Sequence, residues 1–357
     1  MILSRTLTAT LALALSLCAP FASSQAAAAP SPQPSPGMPK DPAALMQLAE
    51  QVNGLTGPGM KPWHIKLSYQ TYDSDGKPKD QGTFEEWWAA PDKDKRVYTS
   101  ATFNQTEYTT SAGKFRIGDQ HEPPLAEFVV RDRLVDPMPT AEDLRNAPPR
   151  KRESPFSKWK VTCVELARPM KRASMSPVGL FPTYCFDPEK PMLRFSGSYG
   201  ILNTVYERIG QLDGHFLGTD IQIVDRGKQY VTIHLETGVL LANVNDADFI
   251  PPANATMLPA VDKAQLDGKV VNGRKIGGSA PAYPAIAKQE GVEGPVLLDA
   301  LIGEDGNIRE LTVTSAPDPL LAVSALMAVR DWKYTPYQLN GHPVEVATEI
   351  KVVYQLH

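Results

Sequence analysis

Six histidines, His64, His121, His215, His234, His342 and His357, are scattered along this 357-residue chain. None pairs with another at metal-ligand spacing, and HExxH is absent, so the sequence offers no metal site. Ser74-Asp75-Gly76-Lys77 and Ser111-Ala112-Gly113-Lys114 both match SxxK, in which a lysine activates a serine nucleophile. Two matches in one chain show how readily that spacing arises by chance, and the first sits in a turn rather than at a helix start. Glu85 and Glu86 are adjacent on a strand and point to opposite sides, so they cannot act as a carboxylate pair. GxSxG, GxxxxGK[ST] and GxGxxG are all missing. The expectation is a non-enzymatic protein with no cofactor and no metal.

The rest of the chemistry follows from compartment. Arg5, the apolar run Leu7 to Phe21 and the small residues around Ala26 have the three-part form of a secretory signal. About 15 apolar residues is short of the roughly 20 that span a bilayer. Residues 1–26 are therefore read as a cleavable signal and the protein as periplasmic. Inner-membrane anchoring and lipidation at Cys18 are the alternatives, the latter disfavoured by the bulk of Leu17. Export leaves Cys163 and Cys185 in an oxidising compartment, where a structural disulfide closing a loop of about 20 residues is expected. The formal net charge of −4 argues against nucleic acid as a partner.

These residues need elements to position them. Residues 27–42 form a Pro/Ala/Ser tether that reaches about 50 Å in polyproline form. Pro42 to Val52 has helical spacing. Residues 43–250 form a β-rich domain: Trp63 to about Ile250 reads as short strands with polar turns, including an Asp75-Gly76 hairpin, and Glu127 to Val135 reads as a covering helix. Residues 251–266 are a Pro/Ala/Asn-rich linker. Within 267–357, Tyr283 to Lys288 opens a short helix that Gly291 stops. Pro295 to Ile302 and Ile308 to Ser315 make a hairpin around Asp305-Gly306. Pro319 to Trp332 is an amphipathic helix, and Val344 to Leu356 is a long alternating strand.

The pieces Tyr283-Pro284, Glu293-Gly294, Asp305-Gly306, Trp332-Lys333-Tyr334-Thr335-Pro336 and Asn340-Gly341, in this order and at these intervals, resemble the C-terminal domain of TonB-family energy transducers. The resemblance covers about a quarter of the chain. Each piece also has a structural role: a rigid helix start, turn glycines, and Trp332 as a core anchor. The resemblance implies a domain that pairs with an extended segment, the TonB box, of an outer-membrane TonB-dependent receptor and so supports transmembrane transport. The physical route is β-augmentation at an open sheet edge. The last strand is the candidate edge, with Val344, Val346, Ile350, Val352 and Tyr354 on one face and Glu345, Ala347, Glu349, Lys351 and Val353 on the other, Thr348 lying between them in sequence. Its alternatives are an interior strand or a homodimer formed through this domain. The chain departs from a working transducer: its apolar N-terminal segment has no His, its spacer is short, and Ile286 stands where relatives often have a basic residue. These departures point away from energy transduction and toward binding, to a receptor or another envelope component.

Residues 63–250 more weakly resemble the LolA/LppX-like half-barrel of lipoprotein carriers. That resemblance implies an acyl-binding concave face, for which Phe84, Trp87, Trp88, Tyr98, Phe103, Tyr108 and Phe115 are candidates, although alternation puts Trp87 and Trp88 on opposite faces. An ordinary filled core is the competing expectation. The fold class expected is α+β: an N-terminal curved antiparallel sheet with covering helices, then a small domain of two helices on a three-stranded antiparallel sheet. The runner-up function is a lipid or lipoprotein carrier that uses the TonB-like domain for docking.

Overall fold

The computed structural model describes residues 38–152, 160–168, 170, 179–198, 202–258, 274–339 and 341–356. The signal segment, most of the tether and residues 259–273 lie outside these residues. No helix among the described residues is long and apolar enough to cross a membrane.

The chain opens with α1 (Pro42–Val52), whose start is fixed by Asp41: its carboxylate accepts the Ala44 N–H at 2.8 Å, and Pro42 occupies the first turn, where no donor is lost. Strands β1 (Trp63–Tyr72), β2 (Pro78–Ala90), β3 (Lys93–Ser100), β4 (Asn104–Thr110) and β5 (Gly113–Gly118) form a meander. Two helices follow, α2 (Leu125–Val135) and α3 (Ala141–Asn146). The chain then lays down β6 (Pro149–Arg152), β7 (Thr162–Leu166), β8 (Thr183–Phe186), β9 (Leu193–Gly197), β10 (Asn203–Leu212), β11 (His215–Asp225) and β12 (Lys228–Leu240). β12 pairs back onto β1, so the two meanders fuse into one antiparallel sheet, of 13 strands among the described residues. The thirteenth, β13 (Thr256–Met257), adds beside β5. That pairing lies inside the stretch expected to be linker, which is therefore partly sheet.

Period-two alternation sorts the aromatics, because neighbouring side chains on a strand leave by opposite faces. Phe84, Trp88, Tyr98 and Phe103 join Trp63, Ile65 and Leu67 in a core that α1 and α2 complete with Leu45, Met46, Val130 and Val135. The Trp63 indole N–H donates to the Leu55 carbonyl at 2.7 Å, which satisfies its one polar atom. Tyr108 and Phe115 do not line that face, contrary to expectation, and Trp87 lies opposite Trp88 as alternation requires. The register places His64, Trp87, Lys95, Tyr108, Phe115 and Met257 in one cross-strand row on the other face. His64 stacks on Trp87 with centroids 4.6 Å apart, and Lys95 lies 4.9 Å from the Trp87 ring centre.

The C-terminal lobe contains β14 (Lys275–Gly277), α4 (Ala285–Gln289), β15 (Gly294–Ile302), β16 (Ile308–Ser315), α5 (Pro319–Val329), β17 (Lys333–Tyr334), β18 (Tyr337–Leu339), β19 (His342–Val344) and β20 (Val346–Tyr354). A three-stranded sheet in the order β16-β15-β20 carries α5 on one face. Helix α5 repeats the device of α1, with Asp318 accepting the Leu320 N–H at 2.8 Å and Pro319 in the first turn. Helix α4 has five residues and buries only Ala287, so most of the helical cover comes from α5.

The core of this lobe is not made by its own residues alone. Ala167, Leu180 and Phe181, contributed from either side of the β7–β8 connection, are buried in the same cluster as Val296, Leu298, Leu326 and Ile350. The C-terminal lobe thus borrows an apolar plug from the N-terminal one. Phe181→Ala is expected to cost about 3 kcal/mol, the usual scale for emptying a buried phenylalanine site. It should also raise amide hydrogen exchange in β15 and β20. A loss below about 1 kcal/mol in urea unfolding, with exchange in those strands unchanged, would show the plug to be incidental.

Candidate partner-binding edge

Strand β20 lies at the margin of its sheet. It pairs with β15 in unbroken register from Ile302↔Val346 to Gly294↔Tyr354, and no strand among the described residues bonds its other side. Val346, Ile350, Val352 and Tyr354 face inward and are buried, whereas Ala347, Glu349, Lys351 and Val353 are exposed. Thr348 is half-buried on the inward face. The inward face is anchored at its far end: the Tyr354 hydroxyl donates to the Leu321 carbonyl at 3.2 Å, and the Tyr283 ring meets Tyr354 edge-on at 5.3 Å.

The long strand expected from Val344 is interrupted. Val344 belongs to β19, where it pairs with Tyr337, and Glu345 lies between the two strands. The cause is the Tyr337–Leu339 hairpin, whose partner must end before the chain can turn onto β15. Val344 and Glu345 are therefore not part of the edge. Gly341, at φ +83°, makes the hairpin turn.

Of the remaining motif residues, Gly294 pairs with Tyr354 of β20, and the others lie in the turns and short elements around the sheet. Pro284 precedes α4, and Gly291 ends that helix in the left-handed region at φ +65°. Gly294 starts β15. In the β15–β16 turn, Asp305 accepts the Asn307 N–H at 3.0 Å. Gly306 there is obligatory twice over: φ is +78°, and an added Cβ would lie 2.0 Å from the Tyr334 carbonyl oxygen. Its own carbonyl accepts the Tyr334 N–H at 2.9 Å, which ties the turn to β17. Pro336 separates β17 from β18. Trp332 is half-buried and packs against the core of this lobe; its N–H donates to the Ser279 carbonyl, and the Lys275 ammonium sits 3.8 Å from a ring centre. Cys163 and Cys185 are bonded to each other as directly opposed residues of β7 and β8. They sit in the N-terminal sheet, away from β20 in the topology.

What sequence reasoning missed is a ladder of charge. Glu86, Arg96, Glu107 and Arg116 stand opposite one another in register on β2, β3, β4 and β5. Glu86 is fully buried and is held by Arg96 at 3.2 Å and by Arg131 of α2 at 2.9 Å. Glu107 meets Arg116 at 2.8 Å and Arg96 at 3.4 Å. Burial alone would raise the Glu107 carboxyl, but Arg96, Lys114 and Arg116 outweigh it and hold the group below its ordinary range.

The ladder continues across the seam between lobes. Arg116 lies 3.8 Å from Glu304 in the β15–β16 turn, and Arg309 of β16 pairs with Glu122 at 3.1 Å. Arg309 also donates to the Pro123 carbonyl at 3.0 Å. Glu122 and Glu304 each accept the other's backbone N–H, at 3.2 and 3.0 Å. A second clamp joins the β11–β12 turn to the end of α5, with Arg226 on Asp331 at 2.9 Å and Arg330 on Asp225.

Residues 279–356 match the family model described as Gram-negative bacterial TonB protein C-terminal. The TonB protein of Vibrio cholerae serotype O1 is 35% identical over 77 residues, covering 21% of this chain and 32% of that protein. The chain thus spans about a third of the length of the curated relative it matches. A LolA superfamily protein from Nitrosomonas europaea aligns with a TM-score of 0.39 at 10% identity, over 59% of this chain and 97% of that one. A putative outer membrane lipoprotein-sorting protein domain from Vibrio parahaemolyticus aligns with a TM-score of 0.35 at 10% identity, over 58% and 94%. The C-terminal lobe is of the TonB C-terminal type.

The seam gives a pH dependence with a defined sign. Burial, then the charge of Glu122, raises the Glu304 carboxyl above its ordinary value, against the opposing pull of Arg116 and Arg309. A raised carboxyl binds its proton more tightly in the folded state, so folding is penalised above that raised value and relieved as pH falls through it. Glu304→Gln should therefore be more stable than the parent at neutral pH, and the gap should close toward the ordinary value of 4.5. Urea unfolding across that range checks it, and a gap independent of pH would refute the assignment.

Proposed function

We propose that this is a periplasmic envelope protein, not an enzyme, whose C-terminal lobe binds an extended segment of an outer-membrane TonB-dependent receptor. The segment adds as a fourth strand on β20 and so supports transmembrane transport. The observation that carries this reading is the open margin of β20: its inward side chains are committed to the core, while its outer side is left to a partner. Such an edge offers backbone donors and acceptors that an extended peptide satisfies, and alternate side chains then set specificity. The match of residues 279–356 to the TonB C-terminal family points to the same partner class. Periplasmic placement rests on the signal-like N-terminus and the bonded pair Cys163–Cys185.

A lipid or lipoprotein carrier would need a continuous apolar cavity. Here the apolar face of the sheet is filled by α1 and α2. A cavity of about 660 Å³ at the sheet is lined by Ser68, Gln81, Thr83, Thr99 and Gln222 together with Tyr69, Ile221 and Ile233, a mixed lining rather than a continuous apolar one.

The test is hydrogen exchange on the full exported chain with and without synthetic receptor-derived extended peptides. Protection should appear at alternate amides of Val346–Tyr354, those pointing away from β15. Protection confined to other strands, or none at saturating peptide, would reject strand addition.

A further inference from the structure

On the face of the N-terminal sheet turned away from its core, the cavity of about 660 Å³ runs across six strands. Register builds it from two parallel cross-strand rows. Thr99, Thr83, Ser68, His234 and Asp220 stand opposite one another on β3, β2, β1, β12 and β11. Two residues along, Gln81, Gln70, Thr232 and Gln222 do the same on β2, β1, β12 and β11, and Glu207 of β10 closes the end. Serine and threonine are short, while the next rows carry long side chains, Lys66 and Glu85 on one side and Tyr72 on the other. A trough is left between them. Six strands at about 4.8 Å spacing make it roughly 24 Å long.

The apolar members of the lining, Tyr69, Ile221 and Ile233, belong to the core, where alternation sends their side chains. Those that stand up into the trough are polar and largely uncommitted. Ser68, Gln81, Thr83 and Thr99 make no side-chain hydrogen bond among the described residues. Gln70 spends its amide N–H groups on the Thr71 and Asp80 carbonyls, and Gln222 donates to Glu207, so both keep a side-chain oxygen to offer. Charge is closed off. Asp220 is bonded by Arg208 at 2.6 Å and by His234 at 2.9 Å, and no lysine or arginine among the described residues lines the trough. An anion finds no available cation here. An extended peptide finds no free backbone either, because β1, β2, β11 and β12 are paired on both sides. What suits the surface is a chain with a hydroxyl on every unit, donating to the amide oxygens and exchanging hydrogen bonds with the serine and threonine hydroxyls.

We propose that this trough binds a neutral polysaccharide chain laid across the strands, held by Ser68, Thr83 and Thr99 at one end and by Gln70 and Gln222 toward the other. The grip is hydrogen bonding without an aromatic platform, so each sugar adds little and affinity grows with chain length. The site lies wholly in the N-terminal lobe. It is independent of strand addition on β20 and gives that lobe a ligand of its own.

Titration of the full exported chain with cellohexaose, chitohexaose, their disaccharides and the anionic hexagalacturonate tests this, read by amide chemical shifts. At least one neutral hexasaccharide should bind with a Kd of about 1 mM or tighter, and about tenfold tighter than its disaccharide and than hexagalacturonate. Shifts should gather on β1, β2, β11 and β12. Thr83→Arg, which fills the middle of the trough, should abolish binding. Thr106→Arg, on the same face but outside the trough, should leave it unchanged. Thermal unfolding checks that both variants fold, and Thr99→Arg, at the exposed end of the first row, replaces Thr83→Arg if that one does not. No binding of either neutral hexasaccharide at about 10 mM would overturn the proposal. So would hexagalacturonate binding as tightly, binding that survives the trough variant, or equal loss in the trough variant and Thr106→Arg.

Discussion

A carboxylate taken fully out of water must be met by a cation, and Glu86 imposes that condition at the centre of this molecule. Arg96 and Arg131 meet it, Arg96 is met in turn by Glu107, and Glu107 by Arg116. Each pairing leaves one more charge to be answered one strand farther along the sheet, until Arg116 on β5 faces Glu304 in the other lobe. Removing one member of such a chain strands its neighbours, which is why breaking a buried pair is far more damaging than its net worth implies. The ladder thus holds α2 on the sheet and links β5 to the β15–β16 turn.

The C-terminal lobe is positioned by that arrangement and by the borrowed plug of Leu180 and Phe181. One end of its small sheet is held at the seam, one face lies under α5, and β15 is paired on both sides. Among the described residues the sheet's two margins, β16 and β20, carry no further strand, and β20 is the candidate edge. An unpaired edge is a hazard that proteins usually blunt with charge, and Glu349 and Lys351 on its exposed face do so. The edge is thereby kept available to a segment that can pair with the backbone while matching those charges. Function in this account lives in the geometry of a strand rather than in any reactive side chain.

Local rules made much of this legible. Asp41-Pro42 and Asp318-Pro319 announce helix starts, and both helices begin there. Gly291 and Gly306 mark backbone positions that other residues adopt only under strain, and both have positive φ. Alternation assigned the faces of β20 correctly from Val346 onward. The interruption at Glu345 was not visible, because alternation continues through it and only the competing Tyr337–Leu339 hairpin ends the earlier strand. Trp332 packs against the core as a large aromatic after a helix suggests, but its contacts with Lys275 and Ser279, which leave it half-buried, could not be read from the sequence. The charge ladder left no trace in sequence: Glu86, Arg96, Glu107 and Arg116 have uneven spacing, and only register makes them neighbours. The same holds for the seam, where Glu122 and Glu304 come from different lobes.

The central claim is that an extended segment pairs along the free margin of β20. Site-directed disulfide trapping in a Cys18→Ser background tests it most directly, because Cys163 and Cys185 are already bonded to each other and introduced thiols are then unambiguous. Cysteines placed singly at Ala347, Glu349, Lys351 and Val353 share one exposed face. A receptor segment with one cysteine walked along it should cross-link to these positions in steps of two residues, with a single direction. Cross-links that ignore the two-residue period, or that form equally well at exposed positions of β16 such as Glu310, would contradict it.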